Sequence, residues 1–103
     1  METYPKKRIE IVIETPLVGR ITDCIDRMEV TGYSVVALTA GRGHAGAWSA
    51  NGQVGTALQM TQIVCIADPG LAEQVMHQVF EIVKPQAGFI AISDVAVLRP
   101  GRF

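Results

Sequence analysis

Residues 40–46 are the part of this sequence best suited to hold a ligand, because they combine three glycines with Arg42. Glycine lets the backbone approach a phosphate closely and turn its N–H groups toward it, and an arginine adds positive charge. The pattern predicts an anion-binding segment around Gly41, Arg42 and Gly43. The same composition is also typical of a flexible hairpin tip, and the stretch lacks the Gly-Lys-Ser/Thr ending of a Walker loop.

The longer segment 40–57 shows neither helical nor strand periodicity. Compact domains seldom keep an irregular loop longer than about 12–15 residues unless it is functional or disordered. Trp48 lies within this segment, and an exposed indole usually meets a partner. We therefore expect Trp48 to contact either another protein or a neighbouring subunit.

The remaining polar residues do not form a catalytic or metal-binding pattern. Cys24 and Cys65 fall in a helical and a strand pattern, which predicts buried free thiols. His44 and His77 lie far from both cysteines along the sequence and form no zinc-type spacing. We expect no catalytic residues and no metal site.

Composition restricts the class of protein. The chain has 103 residues, of which 49% are hydrophobic and 18% charged, so it is apolar for a domain with so much surface to cover. We expect part of that apolar surface to be buried between subunits. A net charge of −1 without a basic stripe argues against nucleic-acid binding. No apolar run has the length of a membrane span or a signal peptide, which favours a cytoplasmic protein that is not an integral membrane protein.

Periodicity then predicts the elements that position the glycine-rich segment. Alternation of apolar and polar residues predicts strands. After Thr15-Pro16 and after Asp68-Pro69, apolar residues recur every three or four positions, which predicts two helices capped by Thr15 and Asp68. Gly32 is a candidate stop for the first helix. The predicted strands are 8–14, 34–39, 58–67 and 88–98, the last apolar on both faces and therefore expected to be central.

The order β-α-β-β-α-β predicts an α+β ferredoxin-like sandwich, with a four-stranded antiparallel sheet and two helices on one face. No helix remains to cover the other face of the sheet. Trimerisation through that face is the simplest prediction, and a dimer would also cover it.

Three stretches of the chain together resemble the PII signal-transduction superfamily. They are residues 8–16 (Arg-Ile-Glu-Ile-Val-Ile-Glu-Thr-Pro), residues 31–36 with Gly41-Arg42-Gly43, and residues 87–92 followed by 95–99. The Ala-Gly-Phe-Ile-Ala-Ile stretch at 87–92 is similar to the PII-like branch linked to inorganic carbon and carboxysomes. The resemblance covers nearly the whole chain and implies one domain over 1–103, with a T-loop at about 40–57 and a short tail at 99–103.

The resemblance implies a homotrimer that binds adenine nucleotides in clefts between subunits. Gly41, Arg42 and Gly43 would hold phosphate, and Gly88 would offer backbone N–H groups. Ser34 would contact the adenine and Ile13 would form part of its apolar wall. Arg99 would reach the phosphate from the neighbouring subunit.

The resemblance also implies a regulatory role in which the nucleotide orders the loop for a protein target, such as a bicarbonate transporter or a carboxysome component. His44 is a candidate for binding an anion such as bicarbonate, and Trp48 and Ser49 are candidates for contacting the target. Ala87 and Phe89 stand where nitrogen-regulatory PII has an acidic residue and a lysine, which favours AMP or ADP over ATP with magnesium. The loop contains no tyrosine, which excludes uridylylation of a loop tyrosine.

Two other interpretations stay open. An acylphosphatase-like enzyme shares the topology, but it needs an asparagine on the second strand, and the only asparagine, Asn51, lies in the long loop. A trimeric scaffold without nucleotide, or a CutA-like metal-tolerance protein, also fits the fold.

Overall fold

The computed structural model describes residues 1–43, 46–49 and 59–103. Short 3-10 turns at Thr15–Leu17 and Pro100–Arg102 flank the main elements. The helices and strands, in chain order, are β1 (Tyr4–Glu14), α1 (Val18–Arg27), β2 (Tyr33–Ala37), β3 (Ala40–Gly43), β4 (Gly46–Ser49), β5 (Met60–Ala67), α2 (Pro69–Val83) and β6 (Gly88–Val97).

The main sheet has four antiparallel strands in the order β2-β5-β1-β6, and both helices pack on one of its faces. The predicted ferredoxin-like α+β fold is therefore confirmed. A separate two-stranded hairpin, β3–β4, follows β2. Periodicity could not reveal this hairpin, because its strands have four residues each and consist largely of glycine and alanine.

The core lies between the sheet and the helices. Ile9, Ile11 and Ile13 of β1 are fully buried, and they face Val75 and Val79 among the buried side chains of α2. On β5, burial alternates residue by residue, with the odd-numbered positions from 61 to 67 buried. The period-two pattern predicted both faces correctly, since successive strand residues point to opposite sides of a sheet.

The face of the sheet away from the helices, here called the open face, carries Val12, Val64 and Phe89. The predicted central position of the last strand is wrong, because β6 forms one edge of the sheet and, among the described strands, pairs with β1 alone. Phe89 and Ile92 of β6 are 50% and 41% exposed. Apolar residues on both faces of β6 thus mark an exposed apolar edge and not a buried strand.

The helix boundaries differ from the prediction in three details. Neither Thr15 nor Asp68 caps a helix through its side chain. The Thr15 hydroxyl instead lies 2.8 Å from the Thr61 hydroxyl on β5, and the Asp68 carboxylate pairs with Lys6 on β1. The first helix ends at Arg27 rather than at Gly32, and Glu29 takes the left-handed conformation after it (φ 62°).

Cys24 and Cys65 are both buried free thiols, as predicted. Burial raises the pKa of the Cys65 thiol to about 11, so this thiol stays protonated at neutral pH. Within the described ranges, no group of three or more His, Cys, Asp or Glu side chains is placed to hold a metal ion. None of the helices in this part of the chain is long and apolar enough to cross a membrane.

Candidate functional site

A groove with a volume of about 660 Å³ lies between the β3–β4 hairpin, the open face of the sheet and the start of β6. We call it the sheet–hairpin groove. Gly41, Arg42 and Gly43 of the hairpin line one side, and Gly88 lines another. The sheet contributes the floor, which includes Val12.

The topology brings these predicted residues together although 45 positions separate Gly43 from Gly88 in sequence. The Leu38 N–H donates a hydrogen bond to the Met60 carbonyl, so the hairpin leaves the sheet near the end of β1. At the same end, Gly88 pairs with Ile13 of β1. The hairpin and the turn before β6 therefore face each other across one end of the sheet.

Gly88 is the residue that this geometry constrains most. Its φ of +133° is one that side-chain-bearing residues rarely adopt, and a Cβ built there would lie 2.1 Å from the Val12 carbonyl oxygen. That contact involves backbone on both sides, so no side-chain rotation can relieve it. Glycine at 88 is required for β6 to start this close to β1.

The side chain of Ile13 does not form a wall of the groove, contrary to the predicted role. Ile13 is fully buried in the core on the helix face of the sheet. Strand alternation places its neighbour Val12 on the open face, and Val12 lines the groove. Met60 and Phe89 extend this apolar floor on the flanking strands.

Ser34 and Arg99 lie outside the groove of their own chain. Ser34 is exposed on β2 and pairs with Val64 of β5. Val64 lies two residues farther from the hairpin than the groove residue Gln62. Arg99 follows β6, whose ten residues start at Gly88 and run away from the groove. At about 3.4 Å per residue, that strand spans roughly 30 Å, so Arg99, which follows it, lies at least that far from Gly88.

The remaining predicted positions lie in or near the hairpin. Trp48 and Ser49 belong to β4, where Trp48 pairs with Gly41 and Ser49 with Ala40. The candidate anion ligand His44 lies outside the described residues.

Glu10 and Gln62 are groove residues that the sequence analysis missed. Both lie on the open face, on the neighbouring strands β1 and β5, and both line the groove. Glu10 accepts a hydrogen bond from Arg8 at 2.9 Å. The period-two pattern of β1 already placed Glu10 opposite the buried isoleucines, but only the register between strands shows that the groove extends to it.

Glu10 is held in its ionised form. The hydrogen bond from Arg8 lowers the pKa of Glu10 below its ordinary value, burial opposes this shift, and a further hydrogen bond from Gln62 supports it. The groove therefore contains a carboxylate that accepts hydrogen bonds and does not donate them at neutral pH.

The family model for nitrogen regulatory protein P-II matches residues 6–102. A search of curated proteins returned no significant match. Among solved structures, the chain is similar to CPII, a nitrogen regulatory PII-like protein from Thiomonas intermedia K12, bound to ADP, AMP and bicarbonate. The identity is 24%, the alignment covers 99% of this chain and 96% of that one, and the TM-score is 0.89.

Two further structures show the same fold. The apo form of CPII is 21% identical, with a TM-score of 0.74 over 93% of this chain and 95% of that one. A candidate PII-like signalling protein from Thermus thermophilus is 23% identical, with a TM-score of 0.80 over 100% of this chain and 99% of that one.

Replacing Gly88 with alanine should destabilise the protein, because the new Cβ and the positive φ both strain the start of β6. We expect a loss of about 1–3 kcal/mol in the free energy of unfolding, measured by chemical denaturation. Gly19→Ala is the matched control, since nothing lies within 4 Å of a Cβ there and Gly19 is within α1. That variant should be neutral or slightly stabilising. Equal stability of the two variants would contradict the assigned constraint.

The Arg8–Glu10 pair should stabilise the fold in a pH-dependent way. Because folding lowers the pKa of Glu10, its contribution is present above the ordinary pKa of 4.5 and is lost as the pH falls through the lowered value. A double-mutant cycle of Arg8→Gln and Glu10→Gln should give a coupling energy of at most about 1 kcal/mol at pH 7, since both side chains are partly exposed. That coupling should shrink toward zero as the pH is lowered through the pKa of Glu10, and a coupling independent of pH would contradict the assignment.

Proposed function

The chain belongs to the nitrogen regulatory protein P-II family, and we propose that it is a regulatory protein that binds AMP or ADP in the sheet–hairpin groove. The observation that carries this proposal is the convergence of Gly41, Arg42, Gly43 and Gly88 beside an apolar floor. Backbone N–H groups and one guanidinium suit a phosphate, and the apolar floor suits the face of a purine.

The described lining is better matched to one or two phosphates than to a triphosphate with magnesium. Arg42 is its only cationic residue, and Ala87 and Phe89 occupy the turn before β6 and the start of that strand. The charge of a triphosphate would therefore be poorly compensated within a single chain. This supports AMP or ADP as the ligand.

We propose that the functional unit is a homotrimer with nucleotide sites in the clefts between subunits. In the described part of the chain no helix lies on the open face, and Phe89 leaves apolar area exposed there at the β6 edge. Arg99 lies roughly 30 Å or more from Gly88 in the same chain, so it reaches a phosphate in the groove only from a neighbour. Ser34 would likewise contact adenine from a position outside the groove of its own chain.

The proposed regulation couples nucleotide binding to the hairpin. Because Gly41 and Gly43 belong to β3, a bound phosphate would order the segment that contains Trp48 and Ser49 and present it to a protein target. One CPII structure is bound to ADP, AMP and bicarbonate, which supports bicarbonate as a second ligand, and His44 is the candidate contact for it. The proposed target acts in inorganic-carbon metabolism, as a bicarbonate transporter or a carboxysome component. We propose no catalytic activity.

Isothermal titration calorimetry with AMP, ADP, ATP and cyclic AMP, each with and without bicarbonate, tests the ligand. We expect micromolar binding of AMP or ADP that changes when bicarbonate is present. Arg42→Gln should weaken this binding about 10- to 100-fold, as expected for a hydrogen bond to a charged group. Arg20→Gln on α1 removes the same charge away from the groove and should bind normally. No binding across the panel would favour a trimeric scaffold or a CutA-like protein.

A subunit-mixing experiment tests whether the cleft lies between chains. Arg42→Gln and Arg99→Gln homotrimers should each bind ADP weakly. If Arg99 comes from the neighbour, trimers refolded from both variants contain one site with both arginines, and that site should bind ADP as the unmodified protein does. Failure of every mixture to recover binding, with trimers confirmed by native mass spectrometry, would contradict the proposed cleft.

A further inference from the structure

Two charged residues line the described part of the sheet–hairpin groove, and they lie at different ends of it. Arg42 belongs to the hairpin. Glu10 lies on β1, two residues farther from the hairpin than Val12, which is about 7 Å along the strand. The groove therefore has a cationic end at the hairpin and an anionic end on the sheet.

This separation of charge orients a nucleotide. Phosphate is attracted to Arg42 and to the backbone of Gly41, Gly43 and Gly88, and it is repelled by the Glu10 carboxylate. The base must then lie toward Glu10. Ile13, the partner of Gly88, lies three positions along β1 from Glu10, and three strand residues span about 10 Å. That distance is comparable with the span from the phosphate of a nucleotide to the far edge of its base.

Glu10 presents hydrogen-bond acceptors and no donor to this end of the groove. One carboxylate oxygen, Oε2, accepts the bond from Arg8, which leaves the other oxygen available to a ligand. Gln62 of the neighbouring strand β5 also lines this end of the groove, and its side-chain amide has both an acceptor oxygen and donor N–H groups. The side chain of Glu10 is 27% exposed, so it is accessible to a ligand yet partly shielded from water.

From this arrangement we propose that Glu10 selects adenine by accepting a hydrogen bond from its 6-amino group. Guanine and hypoxanthine carry an oxygen at the same position, so a carboxylate opposite the 6-substituent would face that oxygen without a proton between them, and the neighbouring N1–H would reach it only if the base shifted. An unpaired acceptor beside a charge is strongly disfavoured in a partly buried site. This inference rests on the proposed nucleotide site and adds the residue that determines base specificity.

Calorimetric titration with ADP and inosine diphosphate tests the proposal directly. The unmodified protein should bind ADP at least about tenfold more tightly than inosine diphosphate. Glu10→Gln should reduce the ratio of the ADP affinity to the inosine diphosphate affinity, because a glutamine amide can donate a hydrogen bond to the 6-oxygen of hypoxanthine. Glu14→Gln removes a carboxylate from the same face of β1 outside the groove lining, and it should keep the full ratio.

A second titration does not depend on any variant folding. Purine riboside diphosphate has a hydrogen in place of the 6-amino group, and it should bind the unmodified protein more weakly than ADP. Equal affinities for ADP and this analogue, or a Glu10→Gln protein that binds ADP with an unchanged ADP-to-inosine-diphosphate ratio, would overturn the role of Glu10 while the nucleotide site stands. No binding of any of these nucleotides to the unmodified protein would overturn the nucleotide site itself, and the role of Glu10 with it.

Discussion

Burial of Ile9, Ile11 and Ile13 beneath the two helices sets the register of β1, and the groove depends on that register. β1 is a central strand, so its two faces serve different purposes. The isoleucine face packs in the core, and the opposite face presents Glu10 and Val12 to the groove. A slip of one residue would exchange these faces, placing a carboxylate in the core and an isoleucine in the groove. The same apolar packing that stabilises the fold therefore positions the polar residues of the site.

The close approach of β6 to β1 completes the groove. Gly88 allows this approach, because any side chain there would collide with the Val12 carbonyl. The approach brings the turn before β6 beside the hairpin that follows β2. Two segments distant in sequence thereby form one site, with Arg42 at one end and Glu10 at the other. Such a distribution of charge would distinguish the two ends of the proposed ligand, which carries phosphate at one end only.

The exposed apolar edge and the position of Arg99 are both explained if the chain associates with other copies of itself. Phe89 and Ile92 lie on the edge strand β6, where no further strand among the described residues covers them. Arg99 is separated from the groove by the length of β6, which no side-chain rearrangement can change. A site that uses Arg99 would have to be assembled from more than one copy, in agreement with the proposed homotrimer.

Local pattern in the sequence determined the strands, the helices and the two faces of β1 and β5, because alternation and helical recurrence are properties of neighbouring residues. It also indicated Gly41, Arg42, Gly43 and Gly88, since glycine and arginine have distinctive chemistry wherever they occur. Tertiary structure alone decided that β6 is an edge strand, that Val12 and not Ile13 lines the groove, and that Glu10 and Gln62 line it as well. These outcomes depend on strand order and on the register between strands that are distant in sequence. Both result from packing the whole chain, so the periodicity of a single segment does not reveal them.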